Sequence, residues 1–215
     1  MKRKHLMRSL MLTLAFSIAM ICFPFAQTAQ AGSTIKLPDL QSVYKSGNYV
    51  YCIVYGEPTA IYEINLKTKA KKAVLNPIIG LPRNVSKKGD YLYYMMGGNG
   101  LGGRLLYRKN LKTGKIKKLS KDWIEAYTLK GKKIYYTYFT GGFGNKTAAR
   151  VMKLNGKGKK KTSVRQKRVV RFTNNKNYKI YSSPIYDDYG NYVKVNTYLK
   201  TPKGKIYLGY DPYFN

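Results

Sequence analysis

The densest run of one chemistry in this 215-residue chain is cationic. L-N-G-K-G-K-K-K-T-S-V-R-Q-K-R-V-V-R at 154–171 carries Lys157, Lys159, Lys160, Lys161, Arg165, Lys167, Arg168 and Arg171, with no acid among them. Such a run attracts polyanions and steers their association, and it is equally the composition of a solvated loop. Lysines recur in two further segments, 67–72 and 112–118. Across the chain 41 Lys and Arg face 9 Asp and Glu, a formal charge of +32.

Carboxylate chemistry is scarce by comparison. Asp122 and Glu125 are close enough in sequence to raise a glycosidase pair, but salt bridges to surrounding lysines are the simpler use. Asp187-Asp188-Tyr189-Gly190-Asn191 reads as a turn whose oxygens could also hold a hard cation, without the twelve-residue EF-hand spacing. The glycine-rich stretches M-G-G-N-G-L-G-G at 96–103 and T-G-G-F-G-N at 140–145 lack the P-loop pattern and open no helix, so they read as matching hairpin loops, with Gly56-Glu57-Pro58 in the equivalent place. No catalytic residue, metal or cofactor is expected.

The first residues follow the order of a secretory signal. A basic stretch runs from Lys2 to Arg8, an apolar one from Leu10 to about Phe25, and Ala29-Gln30-Ala31 forms a small-x-small cleavage site. An uncleaved anchor and a lipoprotein at Cys22 are the competing readings; Pro24, bulky Ile21 and the polar A-Q-T-A-Q-A segment favour export. Cleavage before Gly32 removes four of the basic residues and no acid, leaving a formal charge of +28 on 32–215. It also removes His5, the single histidine, and Cys22, which excludes a histidine triad, a histidine-ligated zinc and an intramolecular disulfide from the mature chain. Cys52, in Y-V-Y-C-I-V-Y, reads as a buried strand residue, with an intermolecular disulfide as the alternative. The expected location is extracellular, in contact with the cell wall.

Positioning these groups falls to a repeat of about 42 residues. K-S-G-N-Y-V-Y-C begins at Lys45, K-K-G-D-Y-L-Y-Y at Lys87 and L-K-G-K-K-I-Y-Y at Leu129, so Gly47, Gly89 and Gly131 stand 42 apart. Each glycine opens a turn into alternating apolar residues that read as a half-buried strand. A second signature follows at 61–72, 106–118 and 151–160, an alternating strand, a polar turn and a short basic strand. Leu66, Leu111 and Leu154 stand beside the turn in these units, and Glu63, Arg108 and Lys153 are aligned as counterparts. Val43, Val85, Tyr127 and Val169 keep the same spacing. The window at 121–130 reads as a strand, with a one-turn helix as the alternative. After Val170 the pattern changes, with N-N-K-N at 174–177 where a glycine is expected.

Four short strands per 40–45 residues give an all-β fold, a small or partial β-propeller of about four repeats. An irregular sandwich is the alternative. Regular repeats are expected over about 43–160 and a divergent unit over 161–215; pairing of the strand near Val43 with the C-terminal strands would complete a four-bladed ring, and a curved open array is the alternative. G-D-Y-L-Y-Y at 89–94, L-Y-R-K-N-L-K-T-G at 106–114 and G-K-K-I-Y-Y at 131–136 resemble the repeats of bacterial TolB-type or low-density-lipoprotein-receptor-type β-propellers. That resemblance implies a binding or scaffold domain.

The 22 tyrosines read first as core rings with polar tips, and Tyr94, Trp123 and Tyr127 as the candidates for an exposed aromatic platform. The leading expectation is a secreted, noncatalytic protein binding an anionic cell-wall polymer or anionic lipid surface through Lys157–Arg171 and the lysine hairpins. A structural or protein-interaction module is the alternative, and a small wall-polysaccharide hydrolase a third reading. Nucleic acid is chemically compatible but has no sequence-specific motif behind it.

Overall fold

The computed structural model describes residues 34–38, 42–54, 59–75, 82–97, 104–141, 146–163, 165–169 and 173–211, with backbone alone at 34–38 and 165–169. The expected signal segment 1–31, Arg171, Gly56-Glu57-Pro58 and the glycine-rich residues 98–103 and 142–145 lie outside the described residues. Among the described residues no helix is long and apolar enough to cross a membrane.

Seventeen strands are described: β1 (Thr34–Pro38), β2 (Val43–Ser46), β3 (Tyr49–Val54), β4 (Ala60–Asn65), β5 (Lys71–Leu75), β6 (Arg83–Lys88), β7 (Tyr91–Met96), β8 (Leu105–Asn110), β9 (Ile116–Lys118), β10 (Ile124–Lys130), β11 (Lys133–Phe139), β12 (Thr147–Lys153), β13 (Lys160–Lys161), β14 (Arg165–Val169), β15 (Lys179–Tyr186), β16 (Tyr192–Thr201) and β17 (Gly204–Asp211). They form three four-stranded antiparallel meanders, β2–β5, β6–β9 and β10–β13, a three-stranded sheet β15–β17, and a two-stranded parallel ribbon of β1 with β14. The chain is an all-β partial propeller of four repeats, and the 121–130 window is strand, with a bulge between Ile124 and Ala126.

The repeat is physical as well as textual. Gly47, Gly89 and Gly131 each take φ between 56° and 59° in two-residue turns, and the residue after each keeps negative φ. That is the II′ form, whose twist matches a hairpin and which favours glycine at its first central position. At the β4–β5 turn Asn65 accepts the Lys67 and Thr68 amides on its side chain at 2.9 and 3.3 Å. Asn110 does the same for Lys112 and Thr113 at 2.9 and 3.1 Å.

One position differs between these two turns: Gly114 has φ +73°, and Lys69 holds the same place at φ +60°. A left-handed L-residue costs about 1–2 kcal/mol, and glycine repays part of that in chain entropy. Lys69→Gly should therefore raise stability by up to about 1 kcal/mol and Gly114→Ala lower it by about as much, read as shifts in urea midpoint at unchanged m-value.

Strand pairing corrects one alignment. Tyr51 opposes Glu63 and Tyr93 opposes Arg108, but Tyr135 opposes Val151, and Lys153 opposes Lys133 where Asn65 opposes Tyr49. Val151, not Lys153, is thus the counterpart of Glu63 and Arg108, because the third repeat reaches its turn two residues earlier along the strand. Leu154 keeps its place, and Leu66, Leu111 and Leu154 each pack against a different core.

Those cores set the order of the sheets. Tyr51, Ile53 and Ile61 of the first meander pack with Val85, Leu92 and Tyr94 of the second. Tyr93, Met95 and Leu106 of the second pack with Tyr127, Ile134 and Tyr136 of the third. Val43, Val50 and Ile64 pack with Tyr178, Leu199 and Ile206 beside and within the last sheet. Among the described residues the sequence of contact is last–first–second–third. Val43, Val85 and Tyr127, 42 apart, are all buried on the opening strand of their sheets.

The fourth unit departs from the others for a local reason. No glycine opens a II′ turn after β14, so β14 does not pair with β15 and runs parallel to β1 instead, from Thr34 opposite Arg165 to Pro38 opposite Val169. The parallel alignment resumes at Val43 opposite Thr173. There Asn174 stands in for a strand residue: its Oδ1 accepts the Lys45 amide at 2.6 Å and its Nδ2 donates to the Lys45 carbonyl at 3.0 Å. Val43 thus meets Thr173 and Asn174, ahead of β15–β17, and among the described residues β2 does not pair with the C-terminal strands.

Candidate functional site

Much of the chemistry visible in the sequence is consumed by the fold. Asp122 accepts two 2.9 Å hydrogen bonds from Arg150 and one of 3.0 Å from Tyr136, while Arg150 stacks 4.5 Å from the Tyr138 ring. Glu63 accepts from Tyr51 at 2.6 Å, and Asp90 pairs with Lys112 at 3.0 Å. Asp187 accepts the Tyr189 and Asn191 amides and the Asn191 side chain, which hold its carboxyl below the usual range, the side-chain bond foremost. That is a turn lock using both oxygens. Cys52 is fully buried, and burial pushes its thiol up to about 12, so it stays protonated and out of reach of another chain.

The tyrosines divide similarly. Tyr51, Tyr93, Tyr94, Tyr127 and Tyr136 are all buried. Of the three platform candidates only Trp123 is exposed; Tyr94 and Tyr127 sit in the cores because their strands face neighbouring sheets. Tyr94 stacks on Tyr107 at 5.8 Å, and its buried hydroxyl finds no hydrogen-bond partner among the described residues. An unsatisfied buried hydroxyl costs about 1–3 kcal/mol. Tyr94→Phe should therefore gain about 1 kcal/mol, a rise of about 2–4 °C in melting temperature by calorimetry. An aromatic row that sequence reasoning missed lies on the last sheet, where Tyr198 sits 5.3 Å from Tyr181 and 5.5 Å from Tyr207.

The lysines remain. In an antiparallel meander the first and third turns lie at the same end of the sheet, and Leu66 donating to Asn48 at 2.9 Å and Leu111 donating to Asp90 at 2.8 Å tie those turns together. The exposed lysines at 67–69, at 112–115 and at Lys157 and Lys159 therefore ride on corresponding sheet ends. Ends of adjacent sheets meet, since Lys117 Nζ donates to the Asn155 carbonyl at 3.2 Å and Tyr93 to the Leu154 carbonyl at 3.3 Å.

The basic tract itself is divided. Lys157, Lys159, Lys160 and Lys161 are exposed on the turn and short edge strand that close the third meander. Arg165, Lys167 and Arg168 belong to β14 in the parallel ribbon, described by backbone only, and Arg171 lies outside the described residues.

A second cationic concentration sits where the last sheet meets the first. Lys45, Lys67, Lys69, Lys203 and Lys205, with Tyr178, line a groove of about 630 Å³. A neighbouring cavity of about 350 Å³, sharing Thr201 and Pro202 with it, is lined by Lys176, Lys179 and Lys200. Among the described residues neither lining contains a carboxylate. Sequence reading found Lys67 and Lys69 but had no signal to join them to residues about 135 positions away; only the Val43–Leu199 core does that.

No family model matches the chain, and no curated protein does. Solved structures are similar at low identity. TolB from Acinetobacter baumannii is 19% identical, with a TM-score of 0.46, over 79% of this chain and 43% of that one. A prolyl endopeptidase is 11% identical at a TM-score of 0.47, over 74% of this chain and 24% of that one. The N-terminal domain of Nup159 is 11% identical at 0.33, over 75% and 57%. The chain spans from about a quarter to somewhat over half of the length of these proteins.

Proposed function

We propose that this chain is a noncatalytic β-repeat interaction module that engages an acidic partner through the lysine-bearing ends of its sheets. The observation that carries this reading is what the fold leaves unused. Asp122, Glu63, Asp90 and Asp187 are each engaged within the protein, whereas the turn lysines Lys67, Lys69, Lys115, Lys157 and Lys159 are exposed. Edge addition on the outer strands is a weaker route to partnership. β5, β9 and β13 are five, three and two residues long and rich in lysine, features that blunt edge pairing. Charges arrayed over several sheet ends attract a partner before contact and weaken with salt.

The test is lysine-reactive crosslinking of the mature chain in the native exported fraction, with light scattering of the purified protein. Adducts to an acidic macromolecule through 67–69, 112–115, Lys157 or Lys159, lost as ionic strength rises, are the expected result. A strict monomer with no crosslinked partner overturns the reading. So does product release from a wall-polysaccharide panel that disappears in Glu125→Gln, which would restore the hydrolase.

A further inference from the structure

We infer that the groove between the first and last sheets is a binding site for a linear phosphodiester polymer, a site separate from the 157–171 tract. This deepens the interaction-module reading and rests on it for the general premise that an acidic macromolecule is the partner.

Among the described residues the cations of the groove are all lysines. An ammonium is a compact point charge with rotatable donors, whereas the guanidinium fork matches planar carboxylates and phosphates two bonds at a time. A lysine-only lining thus reads charge density and spacing more than the shape of a single group. Eight lysines line the two neighbouring cavities, and among the described residues no carboxylate shares the lining. One phosphate monoester brings at most about two negative charges, so the complement to this surface is a chain of them.

The floor distinguishes among chains. Leu66, Tyr178, Pro202 and Ile206 line the larger groove together with its lysines. A polymer whose single charges are separated by short uncharged carbon segments places phosphates against ammoniums and carbons against these side chains. A polyanion whose charges follow one another more closely, such as poly-glutamate, forces charge onto these apolar side chains.

The groove is also fixed in shape. Its first-sheet wall is the pair of turns joined by the Leu66–Asn48 hydrogen bond. Its last-sheet wall is the β16–β17 turn, where Thr201 donates to the Gly204 carbonyl at 2.9 Å and accepts the Lys203 amide at 3.2 Å. Lys71 reaches across from the first sheet to the Leu208 carbonyl at 2.8 Å. The lysines are therefore presented by a pre-formed frame, which lowers the ordering cost of binding.

The experiment compares two variants with equal charge loss: Lys67, Lys69, Lys176 and Lys203 all to Gln, and Lys157, Lys159, Lys160 and Lys161 all to Gln. No side-chain hydrogen bond or ion pair is described for the ammonium groups of the first set, and a thermal melt confirms that both variants fold. The probe is fluorescein-labelled poly(glycerol phosphate), read by anisotropy from low to moderate salt, with poly-glutamate and anionic phospholipid vesicles as comparators.

The expected result is that the groove variant loses roughly ten- to a hundredfold in affinity and that its logarithmic salt slope falls by about 3. The tract variant changes less than about threefold. Equal losses in the two variants overturn the site in favour of diffuse charge. Equal affinity for poly-glutamate overturns the phosphodiester assignment, and vesicle binding without polymer binding replaces it with a lipid surface. If no polymer binds while native crosslinks to an acidic protein persist, this inference fails and the interaction module stands.

Discussion

Tyr127→Ala is expected to lower the stability of the protein by about 3–5 kcal/mol, the range for removing a large buried ring. Tyr127 lies on the opening strand of the third sheet, is about 1% exposed, and joins two sheets in three ways. Its ring packs with Tyr93 and Met95 of the second sheet. Its hydroxyl bonds Ser86 Oγ at 2.7 Å and donates to the Asn84 carbonyl, and its own carbonyl accepts Asn84 Nδ2 at 3.2 Å. Asn84, held at φ +55° and buried, has this contact as its reward for a left-handed backbone.

Tyr127→Phe separates the parts. It keeps the ring and leaves Ser86 and Asn84 short of a partner, a loss of about 1–3 kcal/mol. Urea unfolding of both variants measures the two components. A loss below about 1 kcal/mol for the alanine variant would show that the second and third sheets are held elsewhere.

The second large effect concerns the opposite seam. Leu199→Ala should cost about 2–5 kcal/mol, and unequally through the molecule. Leu199 is fully buried in the core shared by the first and last sheets, and among the described residues that core is the apolar contact that joins β15–β17 to the first sheet. Repeat proteins whose units touch only their neighbours open from the ends of the array. Amide exchange in 179–211 is therefore expected to accelerate well before exchange in β7 or β11. Uniform acceleration in all four sheets would instead identify one cooperative unit. Loosening this seam also separates Lys67 and Lys69 from Lys203 and Lys205, so polymer affinity should fall in parallel although no lysine has changed.

Much of this architecture is legible along the chain because its determinants are local. A glycine at a fixed offset before alternating tyrosines specifies a II′ hairpin, and Asn65 and Asn110 each write their own turn. The misaligned Lys153 shows the limit of that reading. Motif similarity aligns residues by type, whereas pairing register is counted from the turn, and the third repeat is shorter there. That Tyr94 and Tyr127, read as core rings first, also stand as platform candidates in the sequence has a related reason. Alternation tells which side chains share a face, but not whether another sheet covers that face.

The candidate site was legible only in part. The tract at 157–171 is the most conspicuous cationic feature of the sequence, yet the fold divides it between a hairpin and a parallel ribbon. The groove is made of lysines that are unremarkable one at a time, drawn from 45–69 and 176–205.

By itself, then, the sequence determined an all-β chain of four repeats, the glycine turns that open three of them, and an excess of positive charge with few carboxylates to oppose it. Those properties follow from composition and short-range spacing. The tertiary structure alone decided which charges act together, because Leu199 and Ile206 find Val43 and Ile64 through burial across more than 130 residues. Hydrophobic packing of that kind is nondirectional and leaves no motif in the chain, and here it is what turns scattered lysines into a groove.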